Sequence, residues 1–175
     1  ILLIGGTTGS GKSSIATEVA HRLGVVRTQS TDMLREVMRT MLPESLLPIL
    51  HNSAFNAWEA LPIESDSQVD NDTLIATGYR NQMELLALSC DAVIQRALRE
   101  RVSLILEGVH VHPSLLEHID KHEDAVVVPI MLAVLKPKRL RKRLKIREEL
   151  APERVSKRYL SKFDQIWSLQ SFLLS

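Results

Sequence analysis

Apolar runs of strand length alternate with helix-length segments along the whole chain. Ile1-Leu2-Leu3-Ile4 is an all-apolar run closed by Gly5-Gly6, and residues 11–23 follow with Ile15, Val19 and Leu23 four apart, the spacing of one helix face. Gly24 ends that helix. A second strand is expected over 25–29 from Val25-Val26, then a helix over 31–42 that Pro43 terminates. Residues 44–61 read as short helical pieces punctuated by Pro48 and Pro62, and the polar, acidic stretch 63–72 reads as a loop. A long helical pattern covers 73–101. Residues 102–106 read as the third strand, 114–122 as a helix and 125–135 as the fourth strand. Pro129 cannot donate to a ladder, so that last run belongs at a sheet edge or a bulge. The basic residues 136–150 and a segment after Pro152 complete the pattern as helices.

Nearly all-apolar strands alternating with helices predict an α/β fold: a mostly parallel sheet covered on both faces, with ligands at the carboxyl ends of its strands. The 175 residues suffice for one domain, and 45% hydrophobic with 25% charged residues is ordinary globular composition. The net charge of +1 gives no global basic field of the kind that coats nucleic acid. The charge is local: residues 136–147 carry eight of the 22 Lys and Arg, whereas 59–72 hold five acids and no base. That asymmetry predicts a local anion site. Cys90 has no internal partner and sits in an apolar helical stretch, as expected of a buried thiol in a reducing cytoplasm. No apolar run reaches the ~18 residues of a membrane span. The chain opens inside a strand without Met and closes in an apolar stretch, 166–174, so we expect a fragment of a longer protein.

The turn after the first strand carries the sharpest signal. Gly6-Thr7-Thr8-Gly9-Ser10-Gly11-Lys12-Ser13 matches G-x-x-x-x-G-K-[ST] in full and is followed by Ser14. Glycines let such a backbone curl so that its N–H groups point at phosphate oxygens, and the following helix adds its positive end. Lys12 can reach the outer phosphates and the Ser13 hydroxyl can hold Mg²⁺, so ATP or GTP with Mg²⁺ is the expected ligand of this P-loop. The second strand ends in Ser30-Thr31-Asp32, with Arg35 three residues on and on the same helix face. A carboxylate there can take the proton of an acceptor hydroxyl, and an arginine can grip an anionic acceptor. The alternative is that Asp32 caps the helix and Arg35 is a solvated charge.

Glu107, before Gly108, closes the third strand and is a candidate for the metal or for a reacting group, against a plain solvated strand end. His110 and His112 lack a third ligand in any zinc spacing. Arg143 and Arg147 lie four apart in the basic stretch and suit a lid that neutralises a transferring phosphoryl group, the alternative being a solvated, RNA-binding or membrane-facing helix.

Together with the P-loop, four further blocks resemble the 2-phosphoglycerate kinase family. They are Ser30-Thr31-Asp32-x-x-Arg35-Glu36-Val37-Met38-Arg39, Glu107-Gly108-Val109-His110, Arg158-Tyr159-Leu160 and Phe163-Asp164-x-Ile166-x-x-Leu169-Gln170, with Leu50-His51-x-Ser53 and Ala57-Trp58 between them. The resemblance implies transfer of the ATP γ-phosphoryl to 2-phosphoglycerate, giving 2,3-bisphosphoglycerate, on a three-layer P-loop sandwich of nucleoside-kinase type. It also implies one domain over 1–175 with a helical substrate-side insertion around 44–100 and a basic lid around 136–150. The fifth strand usual in such folds is missing, and Trp167 stands where a basic residue is expected. The Asp-x-x-Arg pair is similar to that of polynucleotide and zeta-toxin-like kinases, in which the Asp is the base, a role this match carries to Asp32. The expected catalytic set is Lys12, Asp32, Arg35, Arg143 and Arg147. Asp32, Arg35, His51, Ser53, Glu107 and His110 form the expected substrate side, facing a small anionic acceptor. A kinase of another acceptor remains open, polynucleotide 5′ ends included, although aromatics are only 4% of the chain. So does a non-catalytic nucleotide-sensing module.

Overall fold

The computed structural model describes residues 1–62, 69–112, 115–116, 125–150 and 158–175. Its strands β1 (Leu2–Gly6), β2 (Arg27–Ser30), β3 (Leu104–Gly108) and β4 (Val128–Leu132) form one sheet in the order β2-β3-β1-β4, with every pairing parallel. Side chains alternate across a strand, so each central strand feeds two layers. Leu3, Leu104 and Leu106 meet Cys90, Ile94 and Ala97 of α4 (Asn71–Arg99) on one face. Ile4 and Ile105 meet Ala16 of α1 (Lys12–Leu23) on the other. The result is the expected P-loop-kinase-like sandwich, with four strands among the described residues. Cys90 is fully buried, and burial pushes its thiol up to about 12.

A second core sits beyond the carboxyl ends of the strands. The first half of α4 packs there with a 3-10 segment (Ala54–Ala60), α5 (Pro137–Leu150) and α7 (Phe163–Leu173), through Phe55, Tyr79, Leu140, Leu144, Ile166 and Leu169. The remaining helices are α2 (Thr31–Met41), α3 (Pro48–His51) and α6 (Arg158–Ser161). No described helix is long and apolar enough to cross a membrane.

Several boundaries differ from the sequence expectation. β2 is the polar stretch Arg-Thr-Gln-Ser, because it is an edge strand bonded to β3 alone, while Val26 ahead of it stands 95% exposed. β3 runs two residues later than expected, which brings Glu107 inside the strand. α4 begins at Asn71, within the stretch read as loop, because the Asp70 side chain caps it by accepting from Thr73 N at 2.9 Å. Pro129 lies in β4 opposite Leu3, at the sheet edge that tolerates proline. The helix expected over 114–122, the loop at 63–68 and the start of the last helical segment at 152–157 fall wholly or largely outside the described residues.

α4 crosses the 3-10 segment at Gly78, where a Cβ would lie 2.2 Å from Trp58 N and 2.5 Å from its Cα. Those are backbone atoms that cannot step aside. Gly78→Ala gains up to about 1 kcal/mol of helix propensity, yet should destabilise the protein by a net ~2 kcal/mol or more through overpacking. Urea denaturation reads this as a lower midpoint with unchanged slope. A midpoint at or above wild type would mean that the two segments do not touch.

Candidate active site

The chain leaves β1 at Gly6 and turns into α1 through a loop in which Gly6, Gly9 and Gly11 have φ of 138°, 84° and 100°. At Gly9 any side chain would be strained, and its Cβ would also meet Leu144 and Leu140 of α5 at 2.9 and 3.0 Å. Thr7 anchors the turn: its carbonyl accepts from Ser10 N at 3.2 Å, Ser10 Oγ at 2.9 Å and Lys12 Nζ at 2.9 Å. Lys12 is buried, and desolvation lowers its pKa while the carboxylates of Glu107 and Asp32 act in the opposite sense. α1 starts with Gly11 as N-cap, without a side-chain cap and without an acid in its first turn. Its amide end therefore meets the loop uncompensated, which suits an anion.

One residue further, Ser13 Oγ donates to Glu107 Oε1 at 3.0 Å, joining the end of β3 to the start of α1. A hydroxyl and a carboxylate are hard oxygen donors, a set that fits Mg²⁺. On the far side, Ser30 caps α2 by accepting from Asp32 N at 3.2 Å. The cap is thus Ser30, and the Asp32 carboxylate is left for another task. Asp32 lines a single polar cleft together with Lys12, Ser13, Glu107 and Thr8. Arg35 and Ser53 line it too, and Arg35 Nη1 donates to the Asn52 carbonyl.

The two arginines expected in the lid part company. Arg147 faces the cleft, its guanidinium 5.4 Å from the centre of the Tyr159 ring. Arg143 Nη1 instead donates to Ser10 O at 3.0 Å and ties α5 to the loop. Leu140 and Leu144, fully buried on the same helix, seat it there.

Both histidines expected on the substrate side are used internally. His51 Nε2 bonds the Leu42 carbonyl at 2.9 Å. His110 is 1% exposed, held between Thr31 Oγ1 at 3.3 Å and Gln82 Oε1 at 2.8 Å. Neither is among the residues that line the cleft, and Ser14 stands exposed on α1 outside it. Phe55 and Tyr159 do line it. Tyr159 belongs to one of the motif blocks but carried no expected role there, and Phe55 gave no signal beyond its apolarity.

No family model matches the chain. Among curated proteins it is similar to the 2-phosphoglycerate kinase of Methanococcus vannielii, 33% identical over 99% of this chain and 55% of that protein. The 2-phosphoglycerate kinase of Pyrococcus furiosus is 36% identical over 99% and 54%, and that of Methanothermobacter thermautotrophicus 41% over 73% and 42%. Nearly the whole chain thus matches 2-phosphoglycerate kinases of several archaea, which supports that family. It spans about half the length of the curated relatives it matches.

Two outcomes are expected of this site. Arg143→Ala removes a charged donor from the P-loop carbonyl and should weaken ATP binding roughly tenfold. Arg147→Ala leaves the loop intact and should change that affinity less than about threefold, both read by titration calorimetry. Equal losses would remove the distinction between the two arginines. The second outcome concerns pH. Burial pushes the His110 pKa from 6.5 down to about 3. The unfolded chain therefore takes up a proton below pH 6.5 that the folded chain refuses until about pH 3. Its contribution is intact above pH 6.5 and is lost as pH falls, at up to about 1.4 kcal/mol per pH unit. His110→Asn should flatten that part of the stability curve between pH 7 and 5, measured by urea unfolding; parallel curves would show that His110 is not buried neutral.

Proposed function

We propose that this chain forms the phosphoryl-transfer site of an ATP-dependent kinase whose acceptor is 2-phosphoglycerate and whose product is 2,3-bisphosphoglycerate. The observation that carries the reading is the convergence of Lys12, Ser13, Glu107, Asp32, Arg35 and Arg147 on one cleft beside the P-loop. The name shared by the relatives supports the choice of acceptor.

The P-loop amides and Lys12 bind the phosphates, and Ser13 with Glu107 hold the metal. Bound Mg·ATP supplies the γ-phosphoryl group and, through the metal, neutralises its oxygens. Asp32 holds the free hydroxyl of the acceptor and receives its proton as the oxygen bonds to phosphorus and the bond to the β-phosphate oxygen breaks, releasing ADP. Arg35 pairs with the acceptor's phosphate or carboxylate, and its planar fork suits either. Arg147 neutralises charge on the phosphoryl group in transit. The Tyr159 and Phe55 rings border the cleft, so water is partly excluded and these charges act at a low local dielectric.

Asp32→Asn keeps the size of the side chain and removes its basic lone pair. Transfer to 2-phosphoglycerate should fall about 10²–10⁴-fold, while ATP affinity holds or improves as a negative charge leaves the phosphates. Steady-state kinetics paired with calorimetry checks both. Wild-type turnover in this variant would reduce Asp32 to a bystander, and a wild type that binds ATP but phosphorylates neither 2-phosphoglycerate nor other phosphorylated acids would favour a nucleotide-sensing role.

A further inference from the structure

The mechanism leaves one buried polar cluster unused. Gln82 of α4 is fully buried, and its Nε2 donates to the carbonyls of Ile49 at 2.5 Å and Asn52 at 3.0 Å. Carbonyls only accept, so both amide hydrogens are committed and the orientation of the amide is fixed. Its Oε1 must therefore face His110 Nε2, 2.8 Å away, as an acceptor. That requires the proton of the imidazole to be on Nε2. Burial keeps the ring neutral against the pull of Asp32, which favours the charged ring, and the cationic Arg35 and Lys12 act in the same sense as burial. Tyr79 covers the ring in a stack at 6.2 Å, with its hydroxyl donated to Val109 O. Nδ1 is then a lone pair, and the Thr31 hydroxyl, 3.3 Å away, donates to it.

The cluster has two ends, and both are at the acceptor half of the cleft. Thr31 opens α2 and is bonded in sequence to Asp32. The Asn52 carbonyl that accepts from Gln82 also accepts from Arg35. One buried amide is thus coupled to the residue beside the base and to the arginine that faces the acceptor. We propose that Gln82 and His110 are positioning residues, and that the directed chain Thr31 to His110 to Gln82 to Asn52 sets where Asp32 and Arg35 stand relative to the acceptor. The proposal rests on the reading of the cleft as a kinase site. Neither residue touches substrate; each acts through Asp32 and Arg35, so the nucleotide half of the site should not feel its loss.

The test uses the full chain in two arms. Long-range proton–nitrogen NMR of the imidazoles should find His110 as the neutral Nε2–H tautomer in wild type. In the Gln82→Met variant, which removes the acceptor while keeping side-chain length, that preference should be lost. An Nδ1–H tautomer or a charged ring in wild type overturns the proposal whatever the enzyme does. In the kinetic arm, Gln82→Met and His110→Leu should lower kcat/KM for 2-phosphoglycerate roughly 10–100-fold, with KM for ATP changed less than about threefold. His110→Asn puts an amide oxygen close to the Nδ1 position and should recover part of the loss, because Thr31 regains its acceptor. Circular dichroism at the assay temperature separates unfolded variants from active-site effects, and if His110→Leu does not fold, Gln82→Met and His110→Asn decide. Equal losses toward ATP and acceptor, or no advantage of Asn over Leu, overturn the positioning role alone. A wild type without transfer to 2-phosphoglycerate overturns the reading of the cleft instead, and with it any role in catalysis.

Discussion

The site depends on one constraint: the β1-to-α1 turn must hold its amides inward before any phosphate arrives. β1 is a central strand with partners on both sides, so the turn starts from the most rigid point of the sheet. It is then boxed in. The Leu132 carbonyl at the end of β4 lies where a Cβ on Gly6 would go, Leu140 and Leu144 press on Gly9, and Arg143 holds the Ser10 carbonyl. Ordering a flexible loop on binding would cost roughly 1–2 kcal/mol for each residue fixed. A turn already fixed by folding avoids that cost at the binding step. The basic helix α5 is therefore part of the loop's support as much as a source of charge. Its apolar row fixes the loop, and its last arginine reaches the cleft.

Rigidity of this kind covers only the nucleotide half. The half of the cleft proposed for the acceptor is lined from α2, the stretch 53–55 and Tyr159, none of which belongs to the sheet. α2 follows the edge strand β2, which has one neighbour and little buried area to locate it. An offset of about 1 Å in Asp32 or Arg35 is enough to cost a phosphoryl-transfer enzyme two orders of magnitude. Electrostatics cannot supply the missing precision. Lys12, Arg35 and Arg147 face Asp32 and Glu107 across a small cleft, and their mutual attraction would collapse mobile side chains onto one another. Fixed hydrogen bonds from the protein interior are needed to keep them apart.

How much of this was legible in the sequence follows from where each residue's partners lie. The P-loop and the central strands were readable because their geometry is set locally, by glycine spacing and by burial on both faces. β2 starts two residues beyond the point that the apolar pair Val25-Val26 suggests, because an edge strand needs no apolar run. Asp32 and Glu107 were readable as acids at strand ends. The division of labour between Arg143 and Arg147 was not. Residues four apart share a helix face, and only the docking of Leu140 and Leu144 decides which arginine meets the loop. The internal bonds of His51 and His110 were not legible for the same reason, since a histidine near a site motif looks alike in sequence whether it faces a cleft or a partner inside the protein.

Gln82 did leave a trace. Gly78, Gln82, Leu86, Cys90 and Ile94 follow one another at four-residue intervals and are all buried, so the amide interrupts a row that is otherwise apolar or without a side chain. An apolar residue of the same volume would pack there without desolvating an amide, and an unpaired buried amide is disfavoured by about 1–3 kcal/mol. Its three hydrogen bonds offset that penalty without turning it into a large gain, because each contributes only about 1 kcal/mol net. Stability alone therefore gives little reason for an amide at this position. Direction gives one: an apolar side chain would leave the imidazole tautomer undetermined and the Asn52 carbonyl to Arg35 alone, whereas the amide ties the two together. A polar interruption in the buried row of a long helix, within reach of a site, is thus a readable sign that something beside it has to be held still.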